Sequence, residues 1–251
     1  MYIDLCIRGE LLKVSVALAA YNGEKYIEEQ IESILCQLSE EDEIIVSDDN
    51  PGSSMSGLVK KMAEKDPRIK YTEGPGRGVI KNFENAISKT SGDIIFLADQ
   101  DDKWLPGKVE AVKHEIMNGA VLVLHDAKIT DSELNVLENS FFKVNGSAAG
   151  YIKNIIKNSY MGCCMAFDKS LKESILPFPD RIPMHDQYIG LVAEKLSRNS
   201  SCKVKLLNTP YILHRVHGEN VTGGSTSLKQ KITWRWEIIR ATMSWRKQFG
   251  R

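Results

Sequence analysis

The chain has 251 residues, 42% hydrophobic and 26% charged, with Lys+Arg and Asp+Glu balanced at 33 each. This is the composition of a globular protein long enough for one large α/β domain or two small ones, and a net charge of zero excludes a global basic field for nucleic acid. The cysteines (Cys6, Cys36, Cys163, Cys164, Cys202) are odd in number and lack a C-x-x-C pair, which fits a reducing, cytoplasmic compartment; Met1–Glu10 carries no secretory apolar run, and no stretch reaches the roughly 18 apolar residues of a spanning helix.

Val14–Ala20 is an apolar run that predicts a first strand. Asn22-Gly23 turns the chain into a helix with Ile27, Ile31, Ile34, Leu35 and Leu38 on one face. Glu43–Ser47 predicts a second strand ending in Asp48-Asp49, and a short helix with Leu58, Val59 and Met62 follows. Arg68–Thr72 reads as a third strand and Glu73–Gly78 as a Gly-rich loop. A helix carrying Phe83, Ala86 and Ile87 leads into the strand Asp93–Ala98. Beyond Pro106 the phase of Val109, Val112 and Ile116 predicts a helix, and Ala120–His125 another strand. Lys128–Asn158 is less regular and reads as a hairpin or loops. Then come the apolar segment Tyr160–Phe167, a helix over Asp186–Leu196, and short strands at Lys203–Leu207 and Tyr211–His214. Gly223–Ser227 is a hinge before a helical tail, Leu228–Arg251. The alternation predicts an α/β fold, a mostly parallel twisted sheet flanked by helices.

Polar clusters follow the strands where such sheets bind ligands, beyond the carboxyl ends. Tyr21-Asn22 follows the first strand, Asp48-Asp49 the second, and Asp99-Gln100-Asp101-Asp102 the fourth. Crowded carboxylates at a strand end repel one another unless a cation or buried donors offset them. Acidic-x-acidic spacing in extended backbone sets two of them on one side, which suits a hard divalent ion, Mg2+ or Mn2+. A solvated acidic turn capping the helix after Pro106 is the other reading.

These segments, in order, resemble a family 2 glycosyltransferase of the GT-A nucleotide-sugar-binding fold, over about Lys13–Gly223. The stretches V-S-V-A-L-A-A-Y-N-G-E, I-I-V-S-D-D-N, K-N-F-E-N-A-I, G-D-I-I-F-L-A-D-Q-D-D-K-W-L-P-G-K, M-G-C-C-M-A-F, M-H-D-Q-Y-I-G and H-R-V-H-G-E-N carry the likeness. The D-Q-D-D-x-W-x-P-x-K form and the later His-Asp resemble bacterial rhamnosyltransferase-like members. The resemblance implies an inverting, metal-dependent, hexosyltransferase-type enzyme. Its donor would be a UDP- or dTDP-sugar, and its acceptor a hydroxyl of a glycan or polyprenyl-diphosphate-linked glycan in bacterial surface polysaccharide synthesis.

The resemblance also implies roles. The Ala19 backbone and the Tyr21 ring hold the base, and Asp49, or Asp48 in its place, accepts the base N–H; Asp48 otherwise fixes the turn. Lys81 or Arg77 touches the base edge or a phosphate, or lies in a solvated basic loop. Asp99 faces the ribose or the metal, with Gln100 beside it in the donor site. Asp101 holds the metal, and His217 completes its site. Asp102 caps the next helix, and Arg215 meets the diphosphate. Asp186 is the general base, a plain helix N-cap being the alternative. Trp104, Gly162, Cys163 and His185 line the sugar and acceptor pocket. Asn50-Pro51 departs from the family's usual turn.

Residues 1–223 are read as the GT-A domain and residues 224–251 as a basic amphipathic tail. In the tail Leu228, Ile232, Trp236, Ile239 and Met243 form one stripe, and Trp234, Ile238, Trp245 and Phe249 another. Such a helix suits a membrane surface, the chain's own domain or a homodimer partner. The expected location is cytoplasmic, with peripheral contact at the inner face of the plasma membrane. A rival from another class is a non-catalytic nucleotide-sugar-binding or scaffold protein.

Overall fold

The computed structural model describes residues 12–199, 203–217 and 227–249. Strands β1 (Val14–Ala20), β2 (Glu43–Asp48), β3 (Ile69–Glu73) and β4 (Ile94–Asp99) are parallel, in the order β3-β2-β1-β4. Helices α1 (Ile27–Leu35), α2 (Ser54–Lys65) and α3 (Val79–Lys89) make the crossovers. Every residue of β1 and β2 is buried, as strands covered on both faces require.

The sheet continues through β8 (Met165–Asp168), β6 (Ala120–Thr130), β9 (Lys203–Arg215) and β5 (Lys103–Trp104), while β7 (Val136–Glu138) pairs with β6. Strand β8 is antiparallel to both β4 and β6, and β9 is parallel to β6. The carboxyl ends of β1, β2, β4, β6 and β9 therefore share one edge of the sheet. The amino end of β8, led in by the 3-10 turn Gly162–Cys164, lies on that edge too.

Helix α4 (Lys108–Met117) follows β5, and α5 (Phe141–Asn145) and α6 (Tyr151–Ile156) fill the region expected to hold a hairpin or loops. The hairpin is present as β6–β7. Helix α7 (Lys169–Ile175) has no counterpart in the periodicity, being too short to show one. The two short strands expected near the end are one strand, β9. Its register against β6 shifts on either side of the Asp126–Pro210 pair, where proline has no N–H to donate, and runs regularly again from Lys128. Helix α8 (His185–Asn199) crosses beneath, buried through Ile189, Leu191, Val192 and Ala193.

Helix α9 (Leu228–Phe249) lies on this body through Ile238, Ala241 and Thr242, all buried. Trp245 donates its indole N–H to the Ser174 carbonyl at 2.6 Å, and Tyr151 Oη pairs with Thr242 Oγ1 at 2.7 Å. The expected boundary at 223/224, most of the hinge, Cys6 and Cys202 lie outside the described residues. Among the described residues no helix is long and apolar enough to cross a membrane.

Candidate active site

The shared edge collects the predicted residues from remote parts of the chain. Asp99 ends β4 directly beside Ala19 of β1. Asp101 comes next but one, and its Oδ2 lies 2.8 Å from His217 Nε2, just beyond β9. Burial and the neighbouring Asp102 push the Asp101 carboxyl up, against the pull of His217. Burial, then Asp102 and Asp101, raise Asp99 to about 8, and Asp186 adds to the repulsion. Carboxyls that oppose one another's ionisation this strongly have a place for a positive charge among them. Asp101 and His217 offer a carboxylate oxygen and an imidazole nitrogen, ligand types that suit Mg2+ or Mn2+, and among the described residues no third acidic, Cys or His ligand atom lies within 4.8 Å of both.

Asp186 sits in the first turn of α8, buried. Burial raises its carboxyl to about 7, against hydrogen bonds from the Gln187 and Gly162 N–H groups and the Asn158 side chain. A carboxylate with that pKa can both hold and release a proton near neutrality. Next to it, His185 stacks on Phe83 with ring centroids 4.1 Å apart. Both His185 nitrogens are buried without a hydrogen-bond partner, and burial lowers its pKa to about 3, so the ring is neutral. A Cβ on Gly162 would stand 3.0 Å from His185 Nε2, so glycine permits this close approach.

Tyr21 is 59% exposed at the end of β1, its ring free of the core. Its backbone is clamped by Gln100, whose Oε1 accepts the Tyr21 N–H at 2.7 Å and whose Nε2 donates to the Tyr21 carbonyl at 2.9 Å. The Gln100 side chain therefore holds the β1–α1 turn against the acidic loop. Asp49 accepts N–H groups from Gly76 and Gly78, each at 2.7 Å, and thereby ties the Gly-rich loop to β2. Asp48 fixes the turn: it accepts from the Asn50 N–H, the Ser56 hydroxyl and the Tyr71 hydroxyl. Asn82 is buried and spans β1 and β2 through the Ala20 and Ser47 carbonyls. A cavity of about 410 Å³ opens beside this turn, lined by Asn22, Lys25, Tyr26, Gln100, Ser132 and His217 among others. A larger one, about 710 Å³, is lined by Asp126, Ser140 and Asn208 among others, and not by Asp99, Asp101 or Asp186. The Asp126 carboxylate there is spent on Ala127, Ser140 and Phe142.

Several predicted contacts are placed elsewhere. Arg215 is buried: it donates to the Asp101 carbonyl at 2.9 Å, pairs with Glu29, and lies 4.7 Å over the Tyr26 ring. Through these contacts it braces the acidic loop. Lys81 pairs with Glu84 at 2.6 Å within α3, while Arg77 is exposed on the loop. Trp104 is 3% exposed, packed under Lys108 and against Phe96, so its ring belongs to the core and not to a pocket wall. Cys163 is likewise fully buried; its carbonyl accepts from Lys108 Nζ at 3.0 Å, and hydrogen bonding with Cys164 and burial push its thiol well up. Asp102 does not cap α4, which begins after Gly107. Its Oδ1 instead takes His214 Nδ1 at 2.8 Å and the Arg215 N–H at 3.3 Å.

The Asp102–His214 pair escaped the sequence reading. Burial disfavours the His214 charge, but the Asp102 carboxylate outweighs it and raises the ring to about 10. The same pairing holds Asp102 below the usual carboxylate range despite its burial. With Cys163 Sγ these atoms lie within 4.8 Å of one another, a grouping with metal-ligand chemistry that the ion pair itself fills. The H-R-V-H segment separates the two side chains without naming their partners. Alternation along a strand sends neighbouring residues to opposite faces. His214 and Arg215 accordingly go to different partners, Asp102 and Glu29.

Arg215→Ala separates bracing from ligand contact. A bracing role predicts a loss of about 1–3 kcal/mol in denaturant unfolding, chiefly from the Asp101 carbonyl left without its donor, since Glu29 keeps Lys103. A purely diphosphate-binding role predicts unchanged unfolding with weaker nucleotide binding.

A model of the family described as Glycosyl transferase family 2 matches residues 15–176. Over 109 residues the chain is 31% identical to GalNAc(5)-diNAcBac-PP-undecaprenol beta-1,3-glucosyltransferase of Campylobacter jejuni, covering 43% of this chain and 35% of that one. Among solved structures, Staphylococcus aureus TarS in complex with UDP-GlcNAc superposes with a TM-score of 0.67 at 18% identity, covering 93% of this chain and 66% of that one. The mannosyltransferase PcManGT of Pyrobaculum calidifontis, in complex with GDP-Man and Mn2+, gives 0.60 at 17% identity, covering 95% and 76%. These likenesses establish the GT-A fold. The chain spans 66% or less of the lengths of the first curated relatives it matches.

Proposed function

The chain belongs to glycosyl transferase family 2, and from that premise we propose that it transfers a hexosyl-type sugar, with inversion, from a UDP- or dTDP-sugar to a glycan hydroxyl. The observation that carries this reading is the convergence of Asp99, Asp101, His217 and Asp186 on one sheet edge. Asp186 is near enough to Asp99 for its charge to raise the Asp99 carboxyl.

The exposed Tyr21 ring offers a stacking face to the base, beside the Ala19 backbone. Asp49 keeps acceptor capacity on both oxygens after its two loop contacts, enough for a base N–H. Asp101 and His217, with Asp99 alongside, would hold Mg2+ or Mn2+. When bound, the ion supplies positive charge that offsets the leaving diphosphate. Asp186 takes the proton of the acceptor hydroxyl as that oxygen bonds to the sugar C1. The C1–oxygen bond to the diphosphate breaks on the opposite face, the diphosphate leaves with the bonding pair, and the anomeric configuration inverts. His185, neutral and unpartnered beside Gly162, has an N–H and a lone pair to orient the acceptor.

The D-Q-D-D-x-W-x-P-x-K form supports a rhamnosyltransferase-like subgroup as the finer reading. The name of the Campylobacter relative, with its PP-undecaprenol acceptor, supports a polyprenyl-diphosphate-linked acceptor in surface polysaccharide synthesis. On this reading residues 1–223 are the catalytic domain and residues 224–251 a tail, at the cytoplasmic face of the plasma membrane. The test is a transfer assay over UDP- and dTDP-sugars with NMR of the product. Inverted anomeric configuration supports the reading, and retained configuration overturns it.

A further inference from the structure

We infer that the outer face of α9 is a docking surface for an anionic lipid bilayer. The helix has two apolar stripes, and the fold uses only one. Ile238 and Ala241 are buried and Trp245 is anchored to Ser174. On the opposite face Trp236 is 71% exposed, Met243 64% and Ile232 49%. Their spacing, i, i+4 and i+11, places them in one line along the helix. Apolar side chains this large, repeated on one helical face, mark a surface that meets another apolar phase.

Charge identifies that phase. Between residues 228 and 249 the sequence has six basic residues and one acidic residue, in a chain whose net charge is zero. Lys229 and Arg240, both exposed, lie seven residues before and four after Trp236, on the same face. Helix α6 runs along one flank of α9, where Arg235 donates to the Ile156 carbonyl at 2.8 Å. It adds the exposed Ile152 and Ile156, with Lys153 and Lys157 exposed beside them. Trp, Ile and Met flanked by Lys and Arg is the composition of a helix lying in a bilayer interface, apolar residues below the headgroups and cations among the phosphates. A symmetric contact between two copies would set this basic face against itself. A phosphate backbone would engage the cations and leave Ile232 and Met243 in water. The 22-residue helix is about 33 Å long and would lie flat. None of these residues belongs to the donor site.

The test is flotation of the whole protein with vesicles of phosphatidylcholine, alone or with roughly one-third phosphatidylglycerol. The expected result is binding to the anionic vesicles only, weakened by salt. Trp236→Ala should lower partitioning about tenfold, and Lys229→Ala and Arg240→Ala roughly fivefold each. All three residues are exposed, so the variants should keep the wild-type melting temperature and response to nucleotide. That response separates failure here from failure of the glycosyltransferase reading. Absence of binding, equal binding to both vesicles, or a dimer that Trp236→Ala dissociates would each overturn the inference.

Discussion

Asp186→Asn is expected to reduce transfer by roughly 10²–10⁴-fold, the usual contribution of a positioned general base, while donor binding stays at the wild-type level. The amide is nearly isosteric and can still accept the Gln187 N–H, so the start of α8 should be undisturbed. What it cannot do is take a proton. A single-turnover assay, paired with nucleotide titration, reads both quantities. Transfer at the wild-type rate would remove Asp186 from the base role.

The same residue sets a pH dependence. With its carboxyl raised to about 7, Asp186 is protonated and inactive as a base below that pH, so kcat should climb as pH passes through about 7. Stability moves the other way. Its folded pKa lies above the ordinary 3.8, so the native state binds the proton more tightly than the unfolded chain between those values. That stabilisation is lost as pH rises through them. Asp186→Asn should therefore gain stability relative to the wild type from pH 4 to pH 8. A plain N-cap would leave stability nearly unchanged on the same substitution at both pH values, because Asn and Asp cap helices about equally well. Melting curves at the two ends of the range distinguish them.

Asp101→Ala should lower turnover on the order of 10³-fold, because it removes a carboxylate from the set that would hold the divalent ion. Unlike Asp186→Asn, it should also abolish the dependence of nucleotide binding on Mn2+. The broadening of the Mn2+ electron paramagnetic resonance signal on mixing with protein and nucleotide gives a direct readout. Wild-type broadening in Asp101→Ala would place the ion elsewhere. Asp102 serves as the contrast. Its carboxylate is committed to His214 and the Arg215 N–H, so its substitution should act first on stability.

The sheet and its carboxylate-bearing edge were legible because they follow from local pattern. Buried strands read as unbroken apolar runs, and strand polarity then sends Tyr21, Asp49, Asp99 and Asp101 to one side. The short α7 and the joining of β9 across Pro210 were not legible, because pairing with β6 decides the second and the first has too few residues for a period. Within the site, residue types that bind ligands also make tertiary contacts. Arg215 is 186 positions from Glu29, and nothing in H-R-V-H shows that its guanidinium turns inward. Trp104 follows three acids as a pocket aromatic would, yet Lys108 and Phe96 close over it. Gln100 lies inside the acidic motif, yet its amide serves the Tyr21 backbone. In each case a tertiary contact, which no single segment encodes, decided the role.

The Asp99–Asp101–His217 edge is expected to bind a nucleoside-diphosphate sugar together with a divalent ion. Thermal shift of the wild-type chain over a panel of UDP- and dTDP-sugars, each with and without Mn2+ or Mg2+, tests it most directly. A nucleotide sugar that stabilises the fold only in the presence of the ion is the result expected. A well-folded protein whose melting temperature no nucleotide sugar moves, with or without metal, would contradict it.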